Sequence, residues 1–122
     1  MQEQYENMRP FQEVFQDHIE LSEKGDVDAD LERNFSPDCV VLTGFGVFHG
    51  FDGIKKLAAK LYEELPNGKY QHQTLLIDKD VAFLEWTATS DNCRVNDGVD
   101  SYVYKNGKII AQTIHYTPIG QQ

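Results

Sequence analysis

The chain has 122 residues, the length of one domain, and its 40% hydrophobic and 25% charged residues exclude disordered and fibrous classes. Twenty acidic residues against eleven Lys and Arg leave a formal charge of −9, which counts against nucleic acid and anionic membranes as partners. No apolar run approaches the roughly 20 residues that span a bilayer, and the first residues are polar and acidic where a signal peptide would be basic and then apolar, so the expected location is the cytoplasm.

From Gln4 to Lys24 the apolar residues Met8, Phe11, Val14, Phe15, Ile19 and Leu21 recur at spacings of three and four, which predicts a long amphipathic helix with His18 on its apolar face. Gly25 supplies a C-terminal cap, and Asp26-Val27-Asp28 supplies N-cap chemistry for a short second helix running through Leu31 and Phe35, which Pro37 forbids to continue. Cys39 to Thr43 reads as a buried strand closed by the turn Gly44-Phe45-Gly46. A third helix begins near Asp52, carries Ile54, Leu57, Ala58, Leu61 and Leu65 on one stripe, and stops at Pro66-Asn67-Gly68.

Beyond Tyr70 the chain alternates and is rich in β-branched and aromatic residues. Strands are predicted near Tyr70 to Ile77, Val81 to Ser90, Val95 to Tyr104 and Lys108 to Thr117. The joints are short and Asn106-Gly107 is a strong hairpin signal, so consecutive strands run antiparallel. Three helices followed by an antiparallel meander is an α+β layout, and residues 1–122 read as a single domain without internal repeats.

Candidate chemistry is sparse. The cysteines, Cys39 and Cys93, have no C-x-x-C spacing and read as thiols rather than a disulfide. His18, His49, His72 and His115 lie on different elements without ligand spacing, which predicts no metal site, and no phosphate loop, nucleophile elbow or nucleotide fingerprint is present.

The helix ending in Gly25-Asp26, the Phe35-Ser36-Pro37-Asp38 stretch, the run Phe48-His49-Gly50-Phe51-Asp52-Gly53-Ile54 and the closing Tyr102 to Ile110 hairpin resemble, in that order, the SnoaL-like and ketosteroid-isomerase-like families of the nuclear-transport-factor-2-like superfamily, from about Phe11 to Thr117. The resemblance implies a cone: three N-terminal helices packed on a strongly curved antiparallel sheet, mixed at its edge, that encloses a pocket for a small apolar molecule. It also implies a homodimer through the outer sheet face, which agrees with the number of apolar residues on both strand faces. It implies no cofactor, and it does not imply one reaction, because this architecture hosts several chemistries and binding modules.

Within the resemblance, His18 falls where ketosteroid isomerases place a tyrosine that serves the substrate oxygen, and Asp100 where they place a protonated aspartic acid serving the same oxygen. The two are expected to approach within hydrogen-bonding reach, directly or through one bridging atom, as an acid–base pair in which the carboxylate fixes the imidazole tautomer and strengthens it as a base. Against this stand two plainer readings, a core histidine with a local partner and a solvated edge aspartate. The isomerase's first-strand carboxylate has its counterpart near Thr43, and no Asp or Glu lies between Cys39 and Phe51, so steroid-type isomerisation is disfavoured. Phe15, Thr43 and Tyr102 are counted as pocket residues, as are Gln112, Ile114 and Tyr116, which share one strand face. Trp86 is counted with them, with Glu85 as the alternative, since a one-residue slip exchanges the two; His115 would face outward.

Two functions remain open on these grounds. One is a cofactor-free isomerase, cyclase or lyase acting on a small apolar carbonyl compound through His18 and Asp100. The other is a non-catalytic module, either a carrier of a small apolar ligand or a dimerisation domain with a vestigial pocket.

Overall fold

A computed structural model describes residues 8–120. Helix α1 (Phe11–Lys24) starts later than its apolar periodicity suggests, because Pro10 occupies the N-cap in an extended conformation and disfavours helix in the residue before it. Residues 4–7 of the predicted helix lie outside the described residues. Met8 is not on the helix but lies against the turn at Gly107. The end of α1 is set by Gly25 in the left-handed region (φ 78°), where the Gly25 and Asp26 amides close back on Ser22 and Leu21.

Helix α2 (Val27–Asn34) is capped by Asp26, whose side chain accepts from the Ala29 amide at 3.2 Å. Strand β1 (Phe35–Thr43) then begins four residues before the strand predicted at Cys39. Pro37 is tolerated there because the pairing of β1 shifts register between Phe35 and Val40, so no ladder hydrogen bond is asked of it. A two-residue turn leads into β2 (Gly46–His49), a strand the sequence reading had not assigned, and Gly50 opens helix α3 (Gly50–Glu64).

The meander follows as β3 (Lys69–Asp78), β4 (Val81–Thr89), β5 (Cys93–Lys105) and β6 (Lys108–His115), with a short β7 (Pro118–Gly120) paired to β5. The sheet order is β2-β1-β6-β5-β4-β3. Every neighbouring pair is antiparallel except β1 and β6, which are parallel, as a crossover through α3 and four strands permits. The result is α+β: three helices on a mixed, curved, open sheet.

Burial alternates strictly along β4, with Ala82, Leu84, Trp86 and Ala88 inward. Helix α1 packs its Phe11, Phe15 and His18 face on this inner surface, with Phe11 stacked on Tyr104 at 4.8 Å and Phe15 edge-on to Tyr102 at 4.9 Å between ring centres. Cys39 and Cys93 are both buried and form no disulfide with each other. Among the described residues no helix is long and apolar enough to cross a membrane.

Candidate functional site

Helices α1, α2 and α3 and the inner faces of β3 to β6 leave one half-open cavity of about 130 Å³. Its walls are apolar, formed by Ile19, Val27, Ile54, Leu57, Leu61, Leu84 and Ile114. The exposed rim carries Ser22, Glu23, Tyr62 and His72, and His72 Nε2 lies 3.4 Å from Glu23 Oε1. Among the described residues no Lys or Arg lines the cavity.

At the floor, polar side chains converge from five elements. Asp100 on β5 accepts from the Trp86 indole N–H (2.9 Å), the Tyr102 hydroxyl (2.9 Å) and the Gln112 amide (3.2 Å). The Tyr102 hydroxyl also lies 3.1 Å from His18 Nε2, and His18 Nδ1 lies 2.7 Å from Asp30 Oδ2 on α2. Asp30 Oδ1 accepts in turn from Asn34 at 2.9 Å. These side chains are nearly withdrawn from water, with Asp30 5%, His18 7%, Asp100 6% and Tyr102 1% exposed. A buried carboxylate without donors would be strongly unfavourable, and three donors on Asp100 compensate it.

Burial pushes the Asp100 carboxyl above the ordinary carboxylate range, and its hydrogen bonds from Trp86, Tyr102 and Gln112 only partly oppose this. Burial, reinforced by the nearby Asp100 charge, raises the Tyr102 phenol well above its usual value. Burial also raises Tyr70, whose ring meets Trp86 at 5.5 Å.

His18 and Asp100 therefore line one cavity, but not in direct contact: the Tyr102 hydroxyl stands between them. Trp86, Gln112 and Ile114 line the same space, and Glu85 is exposed on the outer face, which resolves the one-residue ambiguity on β4. His115 faces outward beside Asp97 at 3.7 Å.

Three expected pocket residues are placed elsewhere. Thr43 ends β1, where its hydroxyl accepts from the Phe45 amide and donates to the Gly46 carbonyl, so it is consumed by the turn. Phe15 is core, one helical turn before His18, packed behind Tyr102. Tyr116, just past the end of β6, keeps the inward parity of Gln112 and Ile114 and is buried, but it packs against Trp86 and donates to Glu64 at 2.6 Å rather than lining the cavity.

Asp30 was not anticipated. Its signal lay in α2 itself, where Val27, Asp30, Leu31 and Asn34 follow the spacing of a buried stripe, with a carboxylate and an amide at two of its positions.

The family model of the SnoaL-like domain matches residues 15–112. No functionally curated protein matches the chain. Among solved structures, an NTF2-like protein of unknown function from Burkholderia xenovorans is 14% identical and superposes with a TM-score of 0.73, covering 91% of this chain and 85% of that one. A proposed polyketide cyclase from Sinorhizobium meliloti is 18% identical, with a TM-score of 0.70 and coverage of 84% and 93%. AclR, a proposed hydroxylase from Streptomyces galilaeus, is 13% identical, with a TM-score of 0.71 and coverage of 87% of each chain. At these identities the likeness is one of fold. With the inner-face cavity, the mixed curved sheet and a family match over most of its length, the chain belongs to the SnoaL-like domain family of the NTF2-like superfamily.

Proposed function

We propose that this protein is a cofactor-independent acid–base enzyme, an isomerase, cyclase or lyase whose substrate is a small, largely apolar and uncharged carbonyl compound. The observation that carries this reading is the concentration of proton-bearing groups, His18, Tyr102 and Asp100, at the floor of an otherwise apolar cavity. His18 is the base and Asp100, whose proton burial favours, is the acid. The lack of a lining Lys or Arg among the described residues disfavours carboxylate and phosphate ligands, which would meet Glu23, Asp30 and Asp100 without a counter-charge. The proposed cyclase among the structural neighbours agrees in reaction class. Ketosteroid isomerisation is not proposed, since the first-strand position holds Thr43, whose hydroxyl is tied into a turn.

A second reading, carriage of the ligand without reaction, is favoured by a different fact. Apart from Asn34 Oδ1, the buried side-chain polar atoms among the described residues all have partners, so His18, Tyr102 and Asp100 are satisfied before any ligand arrives.

The two are separated by comparing binding and consumption of a panel of small neutral ketones by the wild-type protein and His18→Phe. An enzyme loses turnover in the variant by roughly 100-fold or more while retaining ligand affinity. Equal binding by both proteins, with no compound consumed by either, assigns the cavity to carriage.

A further inference from the structure

The buried chain of contacts Asp30–His18–Tyr102–Asp100 has three links, of 2.7, 3.1 and 2.9 Å, and each link needs one proton. Asp30 Oδ1 accepts from Asn34, and the relay requires Oδ2 to accept as well, with the first proton on His18 Nδ1. Two protons remain for the other two links, and they have two arrangements. In one, Tyr102 donates to Nε2 of a neutral imidazole and a protonated Asp100 donates to the Tyr102 oxygen. In the other, an imidazolium donates from Nε2 to the Tyr102 oxygen and Tyr102 donates to an ionised Asp100.

Both arrangements carry a net charge of −1 and the same three protons. They differ only in two short proton displacements. Removing one of these protons would leave two acceptors facing each other in a site closed to water, which the low local dielectric makes costly. The titratable groups facing the chain are Asp17 behind Asn34 on α1 and α2, Tyr62 on α3, Tyr70 and His72 on β3, and Glu23 at the rim; none of them is a Lys or Arg.

We propose that Asp30, His18, Tyr102 and Asp100 act as one proton relay, in which Asp30 is a positioning residue that fixes the His18 tautomer and Tyr102 connects the base to the acid. The inference rests on the acid–base reading of the cavity and adds how the site resets.

Asp100 gives its proton to the ligand's carbonyl oxygen, and the Tyr102 O–H turns from Nε2 to the carboxylate. Nε2 takes a proton from the adjacent carbon, whose C–H electron pair becomes the C=C bond of the enol while the carbonyl π pair becomes the oxygen's. The protein now holds imidazolium and carboxylate at unchanged net charge. It resets when Nε2–H passes to the Tyr102 oxygen and the Tyr102 proton passes to Asp100. The reset itself draws no proton from water; the released enol takes its carbon proton from solvent when it returns to the ketone.

The hydrogen-bonding state is read without any ligand by nitrogen-15 NMR of histidine-labelled protein, with the His18 signals identified by their loss in His18→Phe. In the wild type, Nδ1 should carry a retained proton and Nε2 should respond to Asp100→Asn. In Asp30→Asn the Nδ1–H tautomer should lose its preference, and in a Tyr102→Phe background Asp100→Asn should no longer move Nε2. A wild-type His18 protonated on Nε2 alone overturns the relay, as does an Nε2 signal indifferent to Asp100→Asn in a folded variant; the wild-type spectrum decides the tautomer even if a variant fails to fold. Because no ligand enters, a relay found intact beside a ketone panel that is bound and never consumed would sink the enzyme reading alone.

Discussion

Trp86 touches Asp100 through its indole N–H and Gly98 through its ring, so one side chain is both wall and donor. A Cβ built on Gly98 would lie 2.2 Å from Trp86 Cδ2. Gly98→Ala is therefore expected to displace the indole, break its bond to Asp100 and cost about 2 kcal/mol, as overpacking of a closed core does; urea unfolding monitored by Trp86 fluorescence checks this, and a variant as stable as the wild type would contradict it. Asp100 carries a second expectation. Because burial raises its carboxyl in the folded state, its contribution to stability is complete below the ordinary carboxylate range and declines as pH rises through the raised value. The stability difference between wild type and Asp100→Asn should therefore change as pH rises above about 4, moving against the wild type with a slope of at most about 1.4 kcal/mol per pH unit, since other carboxylates cancel in the difference. A flat difference would mean that Asp100 stays ionised throughout.

Among the elements, the β5–β6 turn is the clearest meeting of local chemistry and fold. Asn106 (φ 52°) and Gly107 (φ 85°) both occupy the left-handed region that a tight hairpin demands. An alanine at Gly107 would pay the backbone penalty and also meet Met8 Cγ at 3.2 Å, so Gly107→Ala should lower stability by about 1 kcal/mol in thermal unfolding. The four meander strands and α3 were legible because their periodicity is local: β4 alternates without a break, and α3 keeps one stripe. What was not legible depended on partners distant in sequence. The start of β1 at Phe35 requires the parallel pairing with Ile109, and β2 is a strand only because Val47 and Phe48 pair with β1. Pro10 was the local signal that the helical periodicity overrode.

At the scale of the molecule, the outer sheet face keeps a row of apolar side chains in register, Leu76 beside Phe83 and Val81 beside Val103, with Leu42 and Val47 at the far edge, and Leu76 is 61% exposed. We expect this face to be covered by a second copy, so that light scattering gives about twice 14.0 kDa; a monomer at micromolar concentration would contradict this. The site itself was half legible. His18 stood out as a polar residue on an apolar helix face, and Asp100 as a carboxylate in mid-strand, whereas Tyr102 was counted only as a pocket residue and Asp30 not at all, since its partner His18 is reached only when α2 folds against α1. Strand parity turned Gln112, Ile114 and Tyr116 inward alike, but only the first two line the cavity, because Tyr116 is held against Trp86 and Glu64 instead. The central claim, that the cavity moves protons on a carbonyl ligand, is tested most directly by following exchange of the hydrogens adjacent to the carbonyl of small neutral ketones in heavy water. The wild-type protein should accelerate that exchange by on the order of 100-fold or more over Asp100→Asn and His18→Phe; identical rates for all three proteins, with the ketones demonstrably bound, would contradict it.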